Sequence, residues 1–258
     1  MQNIYICGNG NNAKLIALIL GIKDLYINDT NIDTQNKILS DVITIPFSEL
    51  TDDELKQLKD ILDYDDCVMH RKIGFKYKNA IYDKANTTMV YNYLKKQNRK
   101  YVDDFSFKTT YDAIDVAKYL AKVDTTFSIK HEDEIANTNN CLFIYTNKQF
   151  KTSGNFTFEY VVTKRNEMNN YSYIYDCDDN SNVKRYSEHC TEYLSPVDNS
   201  FKVQNYSDKP IIYTTYDIIK NKMCYYIGRY ATKTRMLLSH AIKFALKLKE
   251  TIKWNNLA

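Results

Sequence analysis

Residues 3–13, NIYICGNGNNA, decide the reading of this chain. Asn3–Cys7 is a short β-branched and aromatic run, the composition of a buried strand, and it ends directly on Gly8-Asn9-Gly10-Asn11-Asn12-Ala13. Ala13–Leu20 continues as an apolar helix, Gly21 ends it, and Leu25–Asn28 reads as the next strand with Asp29 at its end. Strand, GxGxxA turn, helix and strand thus fit within about 30 residues, the dinucleotide-binding βαβ pattern. The spacing has a chemical reason. Gly8 permits the tight turn, Gly10 lets backbone N–H groups, with those of Asn11 and Asn12, approach a pyrophosphate, and Ala13 is small enough for helix to pack on strand. The helix N-terminus then faces the anion. Asp29 lies about 20 positions past Gly8, where a carboxylate accepts hydrogen bonds from a ribose.

The composition gives this turn weight. Among 258 residues only 6 are Gly and 3 are Pro, against 23 Tyr. A chain so poor in glycine keeps it mainly where the backbone needs it. The Tyr, Asn and Lys excess reads as AT-rich codon bias. Hydrophobic residues make up 44% and charged residues 26%, a globular balance, and the longest apolar run, Leu15–Ile22, is too short to span a bilayer. No membrane association is expected. The formal net charge is +3, with lysines dispersed, so no nucleic-acid-binding arm is expected. The 6 Cys are scattered without a CxxC pair and no signal peptide precedes the first strand, which predicts reduced thiols, a cytoplasmic location and no metal.

Further on, Ile43–Phe47 reads as a strand. Residues 48–54 supply caps for a helix over Asp53–Leu62, Val68–Tyr77 and Ala80–Tyr82 read as a hairpin, and Thr87–Lys96 as a helix. Tyr111–Lys122 has mostly helical spacing. Thr125–Lys130, Cys141–Thr146, Asn155–Thr163, Tyr171–Asp176, Lys184–His189 and Cys224–Gly228 read as strands, before a last helix from about Ser239 to Ile252. Tyr171, Tyr173 and Tyr175 alternate onto one strand face. His189 and Cys190 adjoin Glu188 but point to opposite faces, which disfavours a metal. His70 and His131 read as surface histidines. The run Asp176, Asp178, Asp179 lacks the glycine and terminal Glu of a calcium loop.

Read together, the two ends resemble the FAD site of flavoproteins in the glutathione-reductase-like superfamily, and more narrowly UDP-galactopyranose mutase. Gly228-Arg229-Tyr230-Ala231-Thr232 followed by Ala241-Ile242 is similar to that family's GRxxxY…D…AI segment, and Tyr175–Asp178 with Asn182–His189 is similar to its NY…D…YTRIxEHK segment. Residues 150–165 loosely resemble a third stretch.

The resemblance implies an α/β fold: a Rossmann-like FAD-binding domain built from both chain termini (1–62, 111–150 and 215–258), with a reduced β-rich substrate-side subdomain (63–110 and 151–214). It implies Arg185 and Arg229 as catalytic cations and Gly228, Arg229 and Ser239 as further cofactor contacts, while His240, one step into the last helix, is placed either to approach the flavin or to donate to solvent. Lys233 and Arg235 stand where the family carries tyrosines, and with Arg185 are expected to bind the substrate. The implied function is an FAD-dependent isomerase or oxidoreductase acting on a small anionic substrate such as a nucleotide sugar. Without the motif, Arg185 reads first as a solvated strand-edge charge; with it the two readings balance. The alternative class is a non-catalytic binding or structural protein, of viral type, that keeps a flavoprotein fold.

Overall fold

The computed structural model describes residues 3–28, 44–98, 107–123, 127–135, 141–146, 158–204, 215–219, 222–228 and 238–255. In chain order the elements are β1 (Asn3–Cys7), α1 (Asn11–Leu20), β2 (Asp24–Ile27), β3 (Thr44–Pro46), α2 (Asp52–Leu62), β4 (Val68–Tyr77), β5 (Ala80–Tyr82) and α3 (Thr87–Lys96). There follow β6 (Thr110–Asp115), α4 (Val116–Val123), β7 (Ser128–His131), β8 (Cys141–Tyr145), β9 (Phe158–Thr163), β10 (Tyr173–Asp176) and β11 (Val183–Tyr186). The last are β12 (Cys190–Tyr193), β13 (Phe201–Gln204), β14 (Thr215–Ile219), β15 (Lys222–Tyr226) and α5 (Leu238–Asn255). This is an α/β protein with one largely parallel and one mixed sheet. The chain divides into a first unit, residues 1–68, 114–155 and 206–258, and a second, residues 69–113 and 156–205.

In the first unit six strands lie in the order β14-β15-β8-β1-β2-β7, all parallel except the β14-β15 pair. Alternation along the strands sorts the residues onto two faces. Ile6, Leu25, Leu142, Ile144 and Ile227 point to an aliphatic core shared with Leu15, Ile16 and Ile19 of α1, Leu58 of α2, Leu120 of α4 and Ala241, Ile242 and Ala245 of α5. Cys7, Tyr26, Cys141, Phe143, Cys224 and Tyr226 point to the other face, where their rings stack with those of Tyr5 and Tyr145. The six cysteines are buried thiols.

Helix α2 begins on a capping box: Glu54 N–H donates to Thr51 Oγ1 at 3.2 Å, and Thr51 N–H donates to Glu54 Oε2 at 2.8 Å. The box satisfies two N–H groups that the helix cannot. Thr51→Ala should lower unfolding stability by about 1 kcal/mol, read from the urea midpoint.

In the second unit the strand order is β13-β9-β12-β11-β10-β4-β6, with β5 on β4. The β10-β4 pair is parallel, while β10-β11-β12-β9-β13 run antiparallel.

Three sequence expectations need correction. The run Tyr111–Lys122 is not one helix but β6 followed by α4. Asp115 breaks it: its carboxylate accepts from Lys118 N–H at 3.0 Å, so the helix starts only beyond it. The expected strand Lys184–His189 ends at Tyr186, and β12, β13 and β14 were not expected at all. Tyr171 also leaves the face of Tyr173 and Tyr175. It precedes β10, where its ring lies under Lys72 Nζ at 4.8 Å and its hydroxyl donates to Asp83 at 2.6 Å. Among the described residues no helix is long and apolar enough to cross a membrane.

Candidate functional site

In the first unit the chain lays down β1, β2 and β7 in one direction and then returns to place β8 and β15 on the other side of β1. The order reverses between β1 and β8, and in an open parallel sheet ligands bind at the carboxyl ends of the strands flanking such a reversal. Cys7, Tyr145 and Tyr226 are in register at those ends. Thr146 N–H donates to Cys7 O at 2.8 Å and Ile227 N–H to Tyr145 O at 2.9 Å, so the segments leaving the three strands emerge side by side.

Gly8 leaves β1 at φ 137°, a backbone that side chains disfavour, and its N–H donates to Tyr26 O at 2.7 Å. Gly10 is the N-cap of α1. It has φ −82° and ψ 176°, ordinary extended values, and a Cβ built on it would meet nothing within 4 Å. No side chain caps α1 and no acidic residue sits in its first turn. Its leading N–H groups, from Asn11, Asn12 and Ala13, therefore keep their donor capacity and the positive end of the helix dipole. Ala13 is fully buried against the sheet.

Asn12 and Gly228 bring the two ends of the chain together. A Cβ on Gly228, which has φ +93°, would lie 2.4 Å from Asn12 Nδ2. Asn12 Oδ1 is enclosed and has no hydrogen-bond partner among the described residues. Uncapped donors, an open approach at Gly10 and an orphaned amide oxygen are what the pyrophosphate half of a dinucleotide would fill, so the residues present fit such a group.

Ser239, expected to contact the cofactor, is buried at the start of α5 and donates its hydroxyl to Glu49 Oε2 at 2.7 Å. His240 is half-buried beside it. Burial pushes its pKa down, Glu49 opposes that shift, and Lys243 adds to it. Asp29, Arg229, Lys233 and Arg235 lie outside the described residues.

Arg185 belongs to the second unit, on β11. Its Nε and Nη2 both donate to Glu192 Oε1 on β12, the former at 2.9 Å, and Lys184 Nζ lies 3.7 Å from Glu192 Oε2. The Arg185 side chain is 28% exposed and that of Glu192 only 6%. Arg185 is thus a tethered cation rather than a solvated edge charge. Its guanidinium carbon lies 4.6 Å from the centroid of Tyr173, and the guanidinium carbon of Arg71 on β4 lies 4.9 Å from the same ring.

Arg71 was not singled out from the sequence. It is 4% exposed, its Nε is enclosed without a hydrogen-bond partner, and no carboxylate among the described residues pairs with it. A cation–π contact returns about 2 kcal/mol at best, against several for taking a charge out of water. The period-2 pattern of β4 carried the signal: Arg71 shares a face with buried Ile73 and Phe75.

The opposite face of this sheet carries a different cluster, beside a pocket lined by Lys76, Ile81, Asn166, Glu167, Ile174 and Tyr186. Asp176 is fully buried and accepts from Lys96 Nζ at 3.1 Å and from Tyr186 Oη at 3.2 Å. Burial pushes the Lys96 pKa down. Lys96 Nζ also donates to the carbonyls of Asp178 and Val183, at 3.3 and 2.6 Å, which ties down the acidic turn between β10 and β11. Among the described residues no group of His, Cys, Asp and Glu is placed to hold a metal ion.

No family model matches the chain, and no curated protein matches it. Among solved structures, the chain is similar to "Peptidyl tryptophan dihydroxylase QhpG essential for tryptophylquinone cofactor biogenesis", over 98% of this chain and 66% of that one, with 6% identity and a TM-score of 0.46. The expected kinship with UDP-galactopyranose mutase is overturned: no family model and no curated protein, a mutase included, matches the chain.

Proposed function

We propose that the first unit is a Rossmann-like domain that binds FAD, and that the chain is a flavin-dependent oxidoreductase acting on a small anionic molecule. The observation that carries the reading is the β1-α1 turn. Its helix N-terminus is uncapped, Gly10 opens onto free space, and Asn12 presents an enclosed oxygen without a partner next to Gly228. FAD held there would supply hydride transfer.

The chain's own contribution is binding and charge. The N–H groups of Asn11, Asn12 and Ala13 donate to the pyrophosphate, the absence of a side chain at Gly10 and at Gly228 admits it, and Asp29 accepts from the ribose. Arg229, Ser239 and His240 are further candidate contacts. Lys233 and Arg235 are candidate cations for holding an anionic substrate, the guanidinium in two-point geometry.

The reading is tested by incubating the purified chain with FAD, removing free cofactor, and reducing anaerobically with dithionite or NADPH. A retained yellow chromophore that bleaches and returns with oxygen supports it. A colourless protein supports instead a non-catalytic protein that keeps the sheet architecture alone.

A further inference from the structure

We propose that the Arg71 face of the second unit's sheet is a binding site for an oxyanion, a phosphate or carboxylate group. Arg71 projects from β4 on the same side as Ile73 and Phe75, which are buried, and an apolar side chain would satisfy that position. It carries instead an arginine that is 4% exposed as a whole residue, with Nε enclosed and without an acceptor among the described residues. A buried charge is kept without a protein partner where a partner arrives from outside.

The surroundings favour an anion. Tyr173 lies against both Arg71 and Arg185, which places two guanidinium groups about one ring. Glu192 engages Nε and Nη2 of Arg185 through a single oxygen, and Arg185 Nη1 makes no hydrogen bond among the described residues. The hydroxyl of Tyr111 lies within electrostatic reach of both arginines. These donors suit a planar carboxylate or one face of a phosphate, because a guanidinium fork offers parallel N–H groups to paired oxygens. A neutral ligand would leave the charge of Arg71 uncompensated.

The site lies in the second unit alone and does not depend on FAD. Its test therefore reads thermal unfolding of the whole chain at fixed ionic strength in chloride, inorganic phosphate or acetate. The wild type should gain about 2–4 °C, saturably, in phosphate or acetate over chloride. The anion that produces the gain identifies the ligand group. Arg71→Met should abolish the gain and, in chloride, unfold at or above the wild-type temperature, because it removes an unpaired buried charge. Lys72→Met, on the other face of the same strand, should keep the gain. The proposal is overturned by a wild type indifferent to both anions, by an equal gain in Arg71→Met, or by an Arg71→Met chain that unfolds earlier or fails to fold.

Discussion

Gly10→Val should give a folded protein, within about 1 kcal/mol of the wild type, that takes up no FAD. The two halves of that expectation rest on different observations. The loss of stability is limited to about 1 kcal/mol, that of a poorer N-cap, because the φ of Gly10, −82°, suits any residue and a Cβ there meets nothing within 4 Å. A valine adds side-chain atoms only to the space in front of the helix N-terminus. If that space receives a pyrophosphate, the added methyls displace it, and affinity should fall by about 100-fold or more, close to 3 kcal/mol. Urea unfolding and flavin absorbance after gel filtration read the two quantities separately. Gly228 is a less clean choice, since a Cβ there strains the backbone at φ +93° and meets Asn12 Nδ2, so lost binding could follow from a damaged turn.

The second large effect is on stability. Arg185→Ala should destabilise the second unit by about 3 kcal/mol, because it strips its main counter-charge from a buried carboxylate. The Glu192 side chain is 6% exposed, and Lys184 Nζ, at 3.7 Å, replaces only part of the lost pairing. Arg185→Ala combined with Glu192→Ala should recover part of the loss, since it leaves no charge stranded. A double-mutant cycle by urea unfolding measures the coupling. Near-additive single effects would show that the pair is worth no more than an exposed one. Arg185→Ala is consequently a poor probe of turnover, and a loss of activity in it has to be read against its folded fraction.

The first unit was the more legible part in the sequence. β1, α1 and β2 follow from a β-branched run, a glycine turn and a glycine stop, all local determinants, and their observed limits lie within a few residues of those expected. The second unit was less legible: β4, β5 and β10 follow from their patterns, but several of its other strands are only four residues long. The segments of β12 and β13, CTEY and FKVQ, carry no alternation strong enough to name a strand; pairing with β9 makes them so. Tyr111–Lys122 misled because Ala113, Ile114 and Ala117 satisfy a helical period, while the single carboxylate of Asp115 decides where the helix begins.

The site divides in the same way. Gly8, Gly10 and Ala13 were readable because glycine is scarce here and the turn has a fixed spacing. The proximity of Asn12 to Gly228 was not, because more than 200 residues separate them and only the sheet order brings them together. The mutase resemblance rested on fragments of two to eight residues in a chain of biased composition. One of its anchors, Arg185, is engaged by Glu192, a residue that the reading never considered. Arg71 escaped notice because an arginine on a strand reads by default as a surface charge.

The central claim, that the β1-α1 turn binds a dinucleotide, is tested most directly by calorimetric titration of FAD into the flavin-free chain, repeated with ADP present. The account predicts saturable binding at about micromolar affinity or tighter, weakened competitively by ADP, whose diphosphate should occupy the same helix N-terminus. Absence of binding, or binding indifferent to both ADP and Gly10→Val, would contradict it.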